Sequence, residues 1–371
     1  MGRRFGIALL IALACAACGK AGDADGGGGS GGGGSGGQVA DPYDVAVFDR
    51  VRINSHDDQP NFQRASASVD FGAGPFAKAT LHVELESTCF PFSNWIDNPP
   101  PQGQNWPADC DAFDRNFEFL LDPPAAEGGK PAIELVRAIT PFGGPMKFDV
   151  DVTDLANGLP GKHQIVTTIT TWSDGAGQVS GSNGGWNVSA KLEMVPGKAP
   201  RKVLAVVPLA NLNQTESGGP EPVKFTVPAG TKASRLEYRV TGHGGGQSEF
   251  GACIGPADEF CKRSHTLRLD GVELDSFTPW RADCSDNCTI ATNDVPGMAA
   301  FDYCFENPCG NMGSVRAPRA NWCPGTITPP FSWDDVDTLQ TPGEHDFSWD
   351  IAKVGAGGSW RLSAVYYAFG G

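Results

Sequence analysis

The sequence predicts an all-β protein whose body is built as two antiparallel sandwiches in tandem. Short runs that alternate apolar and polar residues recur along the chain, with turn residues between them. Gly (49) and Pro (29) are abundant in the 371 residues, and both punctuate strands rather than extend helices. No run keeps a helical period beyond a turn or two. The Pro/Gly-rich segment Val195–Arg201 then divides the body into residues 43–197 and 198–371, each a normal size for one domain.

The N-terminus reads as an export signal over residues 1–18. Arg3 and Arg4 precede an apolar stretch, Phe5 to Ala14, too short to span a bilayer as a mature helix. Small residues lead to Cys18-Gly19, as in a bacterial lipoprotein signal, so Cys18 is the expected lipid-bearing residue and Cys15 the alternative. Gly19, rather than an acid, points to the outer membrane; ordinary cleavage would give a secreted protein. Residues 19–42 contain GGGGSGGGGSGG, a flexible tether. With 43 acidic against 28 basic residues the formal charge is -15, which argues against nucleic acid as a partner.

In the first half, strands are expected at Val45–Phe48, Ala79–Leu85, Asn116–Leu121, Ala132–Ile139, Met146–Val152, Gln164–Trp172 and Trp186–Met194. The second half continues with Val203–Leu209, Val223–Val227, Ser234–Val240, His265–Leu269, His345–Ile351 and Ser359–Tyr367. Regular short strands with turns between them suit a sandwich or jelly roll. Between Thr241 and Pro329 the chain is loop-rich and holds seven of the nine body cysteines.

In an exported protein those cysteines read as disulfides before metal ligands. A Cys89–Cys110 bond would close a loop of about twenty residues, worth roughly 3 kcal/mol by chain entropy. Chemistry-bearing residues gather in three places. In Cys110-Asp-Ala-Phe-Asp-Arg115, a strand would put Asp114 on the face opposite Phe113 and Arg115. The alternative is a turn in which Asp111 caps backbone and Arg115 pairs with a surface acid. The second place runs from Gly242-His243 to Asp258-Glu259-Phe260-Cys261 and His265. Its glycines lack a dinucleotide spacing and its cysteines a CxxC partner pair. Glu259 is there either a held carboxylate or one more acid of an acidic protein. The third is Arg316 to Gly325, where Arg319 and Trp322 suit sugar recognition, unless the Trp simply covers a disulfide.

Taken together these motifs resemble the peptide-N-glycosidase F family, enzymes that cleave the amide joining N-glycans to asparagine. The resemblance rests on Phe48-Asp-Arg-Val51, Cys110–Arg115, Ile139-Thr-Pro-Phe142, Asp151-Val-Thr-Asp154, Thr171-Trp172, Gly242-His243, Asp258–Cys261 with His265, and Arg319-Ala-Asn-Trp-Cys-Pro-Gly325. It implies two adjacent antiparallel jelly rolls with the active site in the cleft between them. It implies Asp114 as the water-activating carboxylate and Glu259 as the second catalytic acid. Arg115, Trp172, Ile139, His243, Arg319 and Trp322 would then be substrate-binding residues. The implied disulfides are Cys89–Cys110, Cys253–Cys261 and Cys284–Cys323, leaving Cys288, Cys304 and Cys309 to form one pair and one thiol. No metal or cofactor is expected. The partners would be N-glycosylated peptides or proteins, met by a monomer that touches membrane only through its lipid anchor.

Some positions depart from the family pattern. Thr170 stands where the family has a second glutamate, and Phe113 where it has Trp. The Cys89–Cys110 loop is much longer than the family's and brings in Trp95 and Trp106. Loss of the carboxylate at Thr170 favours a rival reading, a glycan- or protein-binding lipoprotein with weakened catalysis. A copper monooxygenase of the same paired fold would need clustered His and Met; the six His form no His-x-His or His-His pair.

Overall fold

The computed structural model describes residues 40–125, 129–173, 182, 184–245 and 253–371. The expected signal, its Cys15 and Cys18, most of the tether and Gly246 lie outside them. The first half contributes β1 (Tyr43–Asn54), β2 (Arg64–Asp70), β3 (Phe76–Ser87), β4 (Asn116–Leu121), β5 (Ile133–Ile139), β6 (Met146–Asp151), β7 (Lys162–Ile169) and β8 (Gly185–Pro196). The second contributes β9 (Lys202–Gln214), β10 (Val223–Val227), β11 (Ala233–Gly244), β12 (His265–Leu269) and β13 (Val272–Phe277). It continues through β14 (Ile290–Thr292), β15 (Asp302–Cys304), β16 (Ile327–Thr328), β17 (Phe331–Asp334), β18 (Gly343–Ile351) and β19 (Gly358–Gly370).

Alternation explains the layers. In β12, His265, Leu267 and Leu269 are buried while Thr266 and Arg268 are half-exposed, as a strand with one face on a core requires. The first sandwich pairs the sheet β1-β8-β3-β6 with the sheet β16-β5-β4-β7-β2. The second pairs β10-β18-β12-β13 with β17-β11-β19-β9, and the strands within all four sheets run antiparallel. These are the expected jelly-roll sandwiches. The first core gathers Phe48, Leu81, Phe119 and Trp186. The second gathers Leu236, Phe347, Trp349 and Trp360. Each such side chain contributes about 2 kcal/mol or more by leaving water.

The halves are interlocked. Val365, Tyr367 and Phe369 of β19 reach into the first core, and β16 pairs with β5 through Ile327 and Ala138. β5 is buried along its whole length, because it faces the first core and also carries a polar seam to β11 and β19. In that seam Arg137 donates to both oxygens of Glu134 at 2.8 and 2.6 Å and to Thr241 Oγ1 at 3.1 Å. Arg361 donates to both oxygens of Glu118 at 2.8 Å. Every buried charge here is paired, which burial demands.

Two expectations about elements change. β7 stops at Ile169, so Thr170, Thr171 and Trp172 leave the sheet. The loop-rich stretch after Thr241 carries β13 to β16, short strands held by their partners rather than by their own pattern.

Candidate active site

Cys110–Arg115 is irregular backbone leading into β4, not a strand, so the face-by-face alternation does not apply. Thr140, just past β5, clamps it. The Arg115 N–H donates to Thr140 Oγ1 at 2.9 Å, and that hydroxyl donates to the Phe113 carbonyl at 3.0 Å. The Cys89–Cys110 disulfide anchors the start of the segment. Asp111 is fully buried; it caps backbone, as the turn alternative had it, and also holds Arg115, which neither reading had. Its Oδ1 accepts the Phe113 N–H at 3.1 Å, and its two oxygens accept Arg115 Nε at 3.2 Å. Arg115 therefore pairs with a buried acid four residues before it, not with a surface one. Burial pushes the Asp111 carboxyl up to about 6 against the pull of Arg115. Asp111 was missed as a site residue because its caps looked local.

Arg115 is held like a blade. Its guanidinium lies 4.9 Å from the Phe113 ring centre and 5.5 Å from that of Trp172, while its buried Nη2 has no hydrogen-bond partner among the described residues. Trp172 is 43 % exposed and offers a free ring face. Thr170 is exposed beside it, with its N–H donated to the Asn116 carbonyl at 3.1 Å.

The opposite wall comes from the second sandwich. At the end of β11 the Gly242 carbonyl accepts Trp322 Nε1 at 2.7 Å, and a Cβ on Gly242 would come within 2.7 Å of Ala320. Only glycine fits. His243 stacks on Trp322 with ring centres 5.2 Å apart and Nε2 2.7 Å from Thr241 Oγ1. Burial first, and then the like charges of Arg137, Arg361 and Arg319, push His243 down to about 3, so the ring is neutral and serves as packing. The Cys253–Cys261 disulfide closes the loop that carries Glu259. Within it Asp258 is buried against Arg263, and the Glu259 carbonyl accepts the Ala320 N–H at 2.8 Å.

Arg319 joins the two walls. It is 1 % exposed and donates to the Ser314 carbonyl at 2.6 Å and the Ser314 hydroxyl at 2.9 Å. The rings of Trp322 and Phe260 lie 4.6 and 4.9 Å from its guanidinium. Its Nη2 is 3.6 Å from Asp114 Oδ2 and its Nε 3.9 Å from Glu259 Oε1. Both carboxylates keep about a fifth of their side-chain surface exposed, so they face out over a buried cation. Burial raises Asp114, against Arg319 and Arg115. Burial and then the Asp114 charge raise Glu259 to about 7.

The expected site residues thus separate by position. Asp114, Glu259 and Arg319 converge, and Arg115 with Trp172 flanks Asp114. Ile139 and Trp322 were expected to bind substrate, but at 1 % and 2 % exposure their side chains are interior supports. The Trp322 ring is spent on Arg319 and His243 and its N–H on Gly242, so it cannot stack on a sugar. The expected disulfides form, and a further bond joins Cys288 to Cys304, leaving Cys309 as the thiol. A cavity of about 770 Å³ bounded by Asp154, Arg201, Arg235 and Tyr367 contains none of these site residues.

Residues 211–366 match the family model for the C-terminal part of peptide-N-glycosidase F. The chain is similar to the solved structure of PNGF-II at 21% identity and a TM-score of 0.65, over 88% of this chain and 65% of that one. It therefore spans just under two thirds of the length of PNGF-II. It is similar also to PNGase F, a glycosylasparaginase from Flavobacterium meningosepticum, at 20% identity and a TM-score of 0.62, over 89% of this chain and 96% of that one. No curated protein matches it by sequence. Residues 211–366 therefore belong to the peptide-N-glycosidase F family, and the body that contains them has that family's fold.

Proposed function

We propose that this protein is an amidohydrolase that removes N-linked glycans from asparagine. The observation that carries the reading is one buried guanidinium, Arg319, lying between Asp114 and Glu259 from opposite halves of the chain. Two carboxylates in one cleft with different surroundings divide into a base and an acid. Asp114, flanked by Arg319 and Arg115, is the base that draws a proton from water as the water oxygen attacks the side-chain amide carbon. The Nη2 of Arg115, without a partner among the described residues, donates to the oxygen on which charge develops. Glu259, held near 7, carries a proton in a large share of molecules at neutral pH and gives it to the departing nitrogen. The carbon–nitrogen bond breaks, leaving aspartate on the peptide and a glycosylamine. Trp172 supplies the exposed ring on which an inner sugar stacks.

The four disulfides suit an oxidising compartment, and export with a lipid on Cys18 belongs to this reading. A second reading, a binder with weakened catalysis, is favoured by the exposed hydroxyl of Thr170 where the family pattern has a carboxylate. Mass spectrometry of a high-mannose and a complex glycopeptide, incubated with the protein and with its Asp114→Asn variant, separates the two. Asparagine converted to aspartate by the wild type alone supports the amidase; retention of both glycans by the wild type supports the binder.

A further inference from the structure

The long Cys89–Cys110 loop does not lie open. It packs against β15 and the segment after it, and the contact is aromatic. Phe92 is buried at its centre, with Trp95, Phe301 and Tyr303 at ring-centre distances of 5.1, 5.2 and 5.0 Å. Most of these contacts are edge-on, so the rings present faces in several directions. Between the loop and the β14–β15 hairpin lies a cavity of about 390 Å³, bordered by Trp95, Trp106, Phe301 and Tyr303 together with Asn105 and Asp302. Phe301 is 39 % exposed and Phe305, close by, 52 %. Phe301 thus presents part of its ring to the cavity opening rather than to the core.

We propose that this cavity is a saccharide subsite that takes one or two neutral pyranose rings. Pyranose rings have apolar C–H faces and hydroxyl edges, which asks for aromatic faces ringed by hydrogen-bonding side chains. The cavity has both. Tyr303 has no side-chain hydrogen bond among the described residues, and Asp302, whose Oδ1 already accepts the Thr292 hydroxyl at 2.7 Å, borders the same space with its second oxygen. The Trp95 indole N–H is already donated to the Cys89 carbonyl at 2.8 Å, so that residue offers its ring face. No Lys, Arg or His borders the cavity while Asp302 does, and the protein carries a charge of -15; acidic sugars are therefore disfavoured.

Its walls are fixed before any ligand arrives. Cys288–Cys304 and the Thr289–Glu306 hydrogen bond at 2.6 Å clip the hairpin. Cys89–Cys110 and the Asn98–Asp109 hydrogen bond at 2.8 Å clip the loop. A preorganised wall spares the ordering cost of binding. Cys110 also begins the segment that carries Asp114, so the subsite and the candidate active site share one disulfide anchor. That the sugar arrives as the outer part of an N-glycan rests on the amidase reading; the affinity of the cavity for saccharide does not.

The test is a tryptophan-fluorescence titration of the full chain with free, uncharged high-mannose and desialylated complex oligosaccharides, which contain no amide to cleave. Tyr303→Phe removes a single oxygen and Phe301→Ala a partly exposed ring, so both keep the fold. Each is expected to weaken oligosaccharide binding about fivefold or more, while cleavage of a glycopeptide bearing only the two innermost sugars stays unchanged. Wild-type binding that neither variant alters, an absence of binding, or displacement of the sugar by an unglycosylated peptide would each overturn the subsite. Variant-sensitive binding without any glycopeptide cleavage would leave the subsite standing and remove the amidase.

Discussion

Arg319 Nη2 lies 3.6 Å from Asp114 Oδ2, although Asp114 belongs to the first half of the chain and Arg319 to the second. The contact is longer than a direct hydrogen bond, so the guanidinium acts on Asp114 chiefly through its charge. The hydrogen bonds of the Arg319 side chain go instead to Ser314 and to the Ala317 carbonyl. The cation is thus built into the fold and lent to the carboxylates.

Arg319→Met should therefore fail in two ways. Losing one partner of a buried charged arrangement costs about 3 to 5 kcal/mol, read as a lower urea midpoint. Without the cation between them, Asp114 and Glu259 hold their protons to higher pH, so the acid limb of any remaining activity moves upward. Arg319→Lys keeps the charge but not the fork to Ser314, and should retain more of the pH profile than of the stability.

Asp111→Asn tests how Arg115 is held. The amide oxygen can still cap the Phe113 N–H, but the charge facing Arg115 Nε is gone. A charge-assisted hydrogen bond of this kind is worth about 2 kcal/mol. The expected result is a similar loss of stability together with a fall in kcat, since Arg115 loses the acid that aims it. An unchanged kcat would make Asp111 purely structural.

Glu259 gives a stability signature independent of any substrate. Its folded value, about 7, lies above the ordinary 4.5, so the folded protein binds more protons between those limits. Stability contributed at this site is highest below about 4.5 and falls as pH rises towards 7, by roughly 3 kcal/mol in all. Asp111, raised to about 6, tilts the curve the same way. Glu259→Gln should therefore make the slope of Tm against pH shallower and be more stable than wild type above pH 7. A parallel curve would show that Glu259 is not shifted.

Thr170→Glu restores a carboxylate beside the exposed Trp172. One added polar stabiliser in a site is worth on the order of 3 kcal/mol when it acts on the transition state. A hundredfold rise in kcat/KM is then expected, on the scale of about 1.4 kcal/mol for each factor of ten. Tighter binding of glycopeptide with no rise in kcat would favour the binder.

Cys309, half-buried on the wall of the cavity between the Cys89–Cys110 loop and the hairpin, should be alkylated only slowly in the native protein at neutral pH and faster on unfolding. Burial pushes its thiol up to about 12, and the thiolate is the reactive form. Rapid native labelling, found by peptide mapping, would contradict its placement.

Much of the fold was legible because alternation reports burial on one face. Asn116–Leu121, Val223–Val227 and His265–Leu269 are strands over the residues the pattern indicated. β13 to β17 were not: β14 to β17 have only two to four residues, and β13 buries neither face, so no alternation marks them and they rely on neighbours. The convergence of Asp114, Glu259 and Arg319 was reachable only through motif resemblance, since nothing local brings them together. Both readings of Trp322 stood open in the sequence, because a Trp beside a cysteine looks the same whether its ring is free or packed. Its indole hydrogen bond to Gly242, eighty residues away, decides the matter and has no sequence signal.

Isotope labelling distinguishes water attack on the asparagine side-chain amide carbon from any other route of release. A glycopeptide is incubated with the protein in oxygen-18 water, and the deglycosylated peptide is analysed by tandem mass spectrometry. Heavy oxygen is expected in the side-chain carboxylate of a new aspartate at the former glycosylation site, with none when Asp114→Asn is used. Release that leaves asparagine intact, or peptide that keeps its glycan, would contradict it.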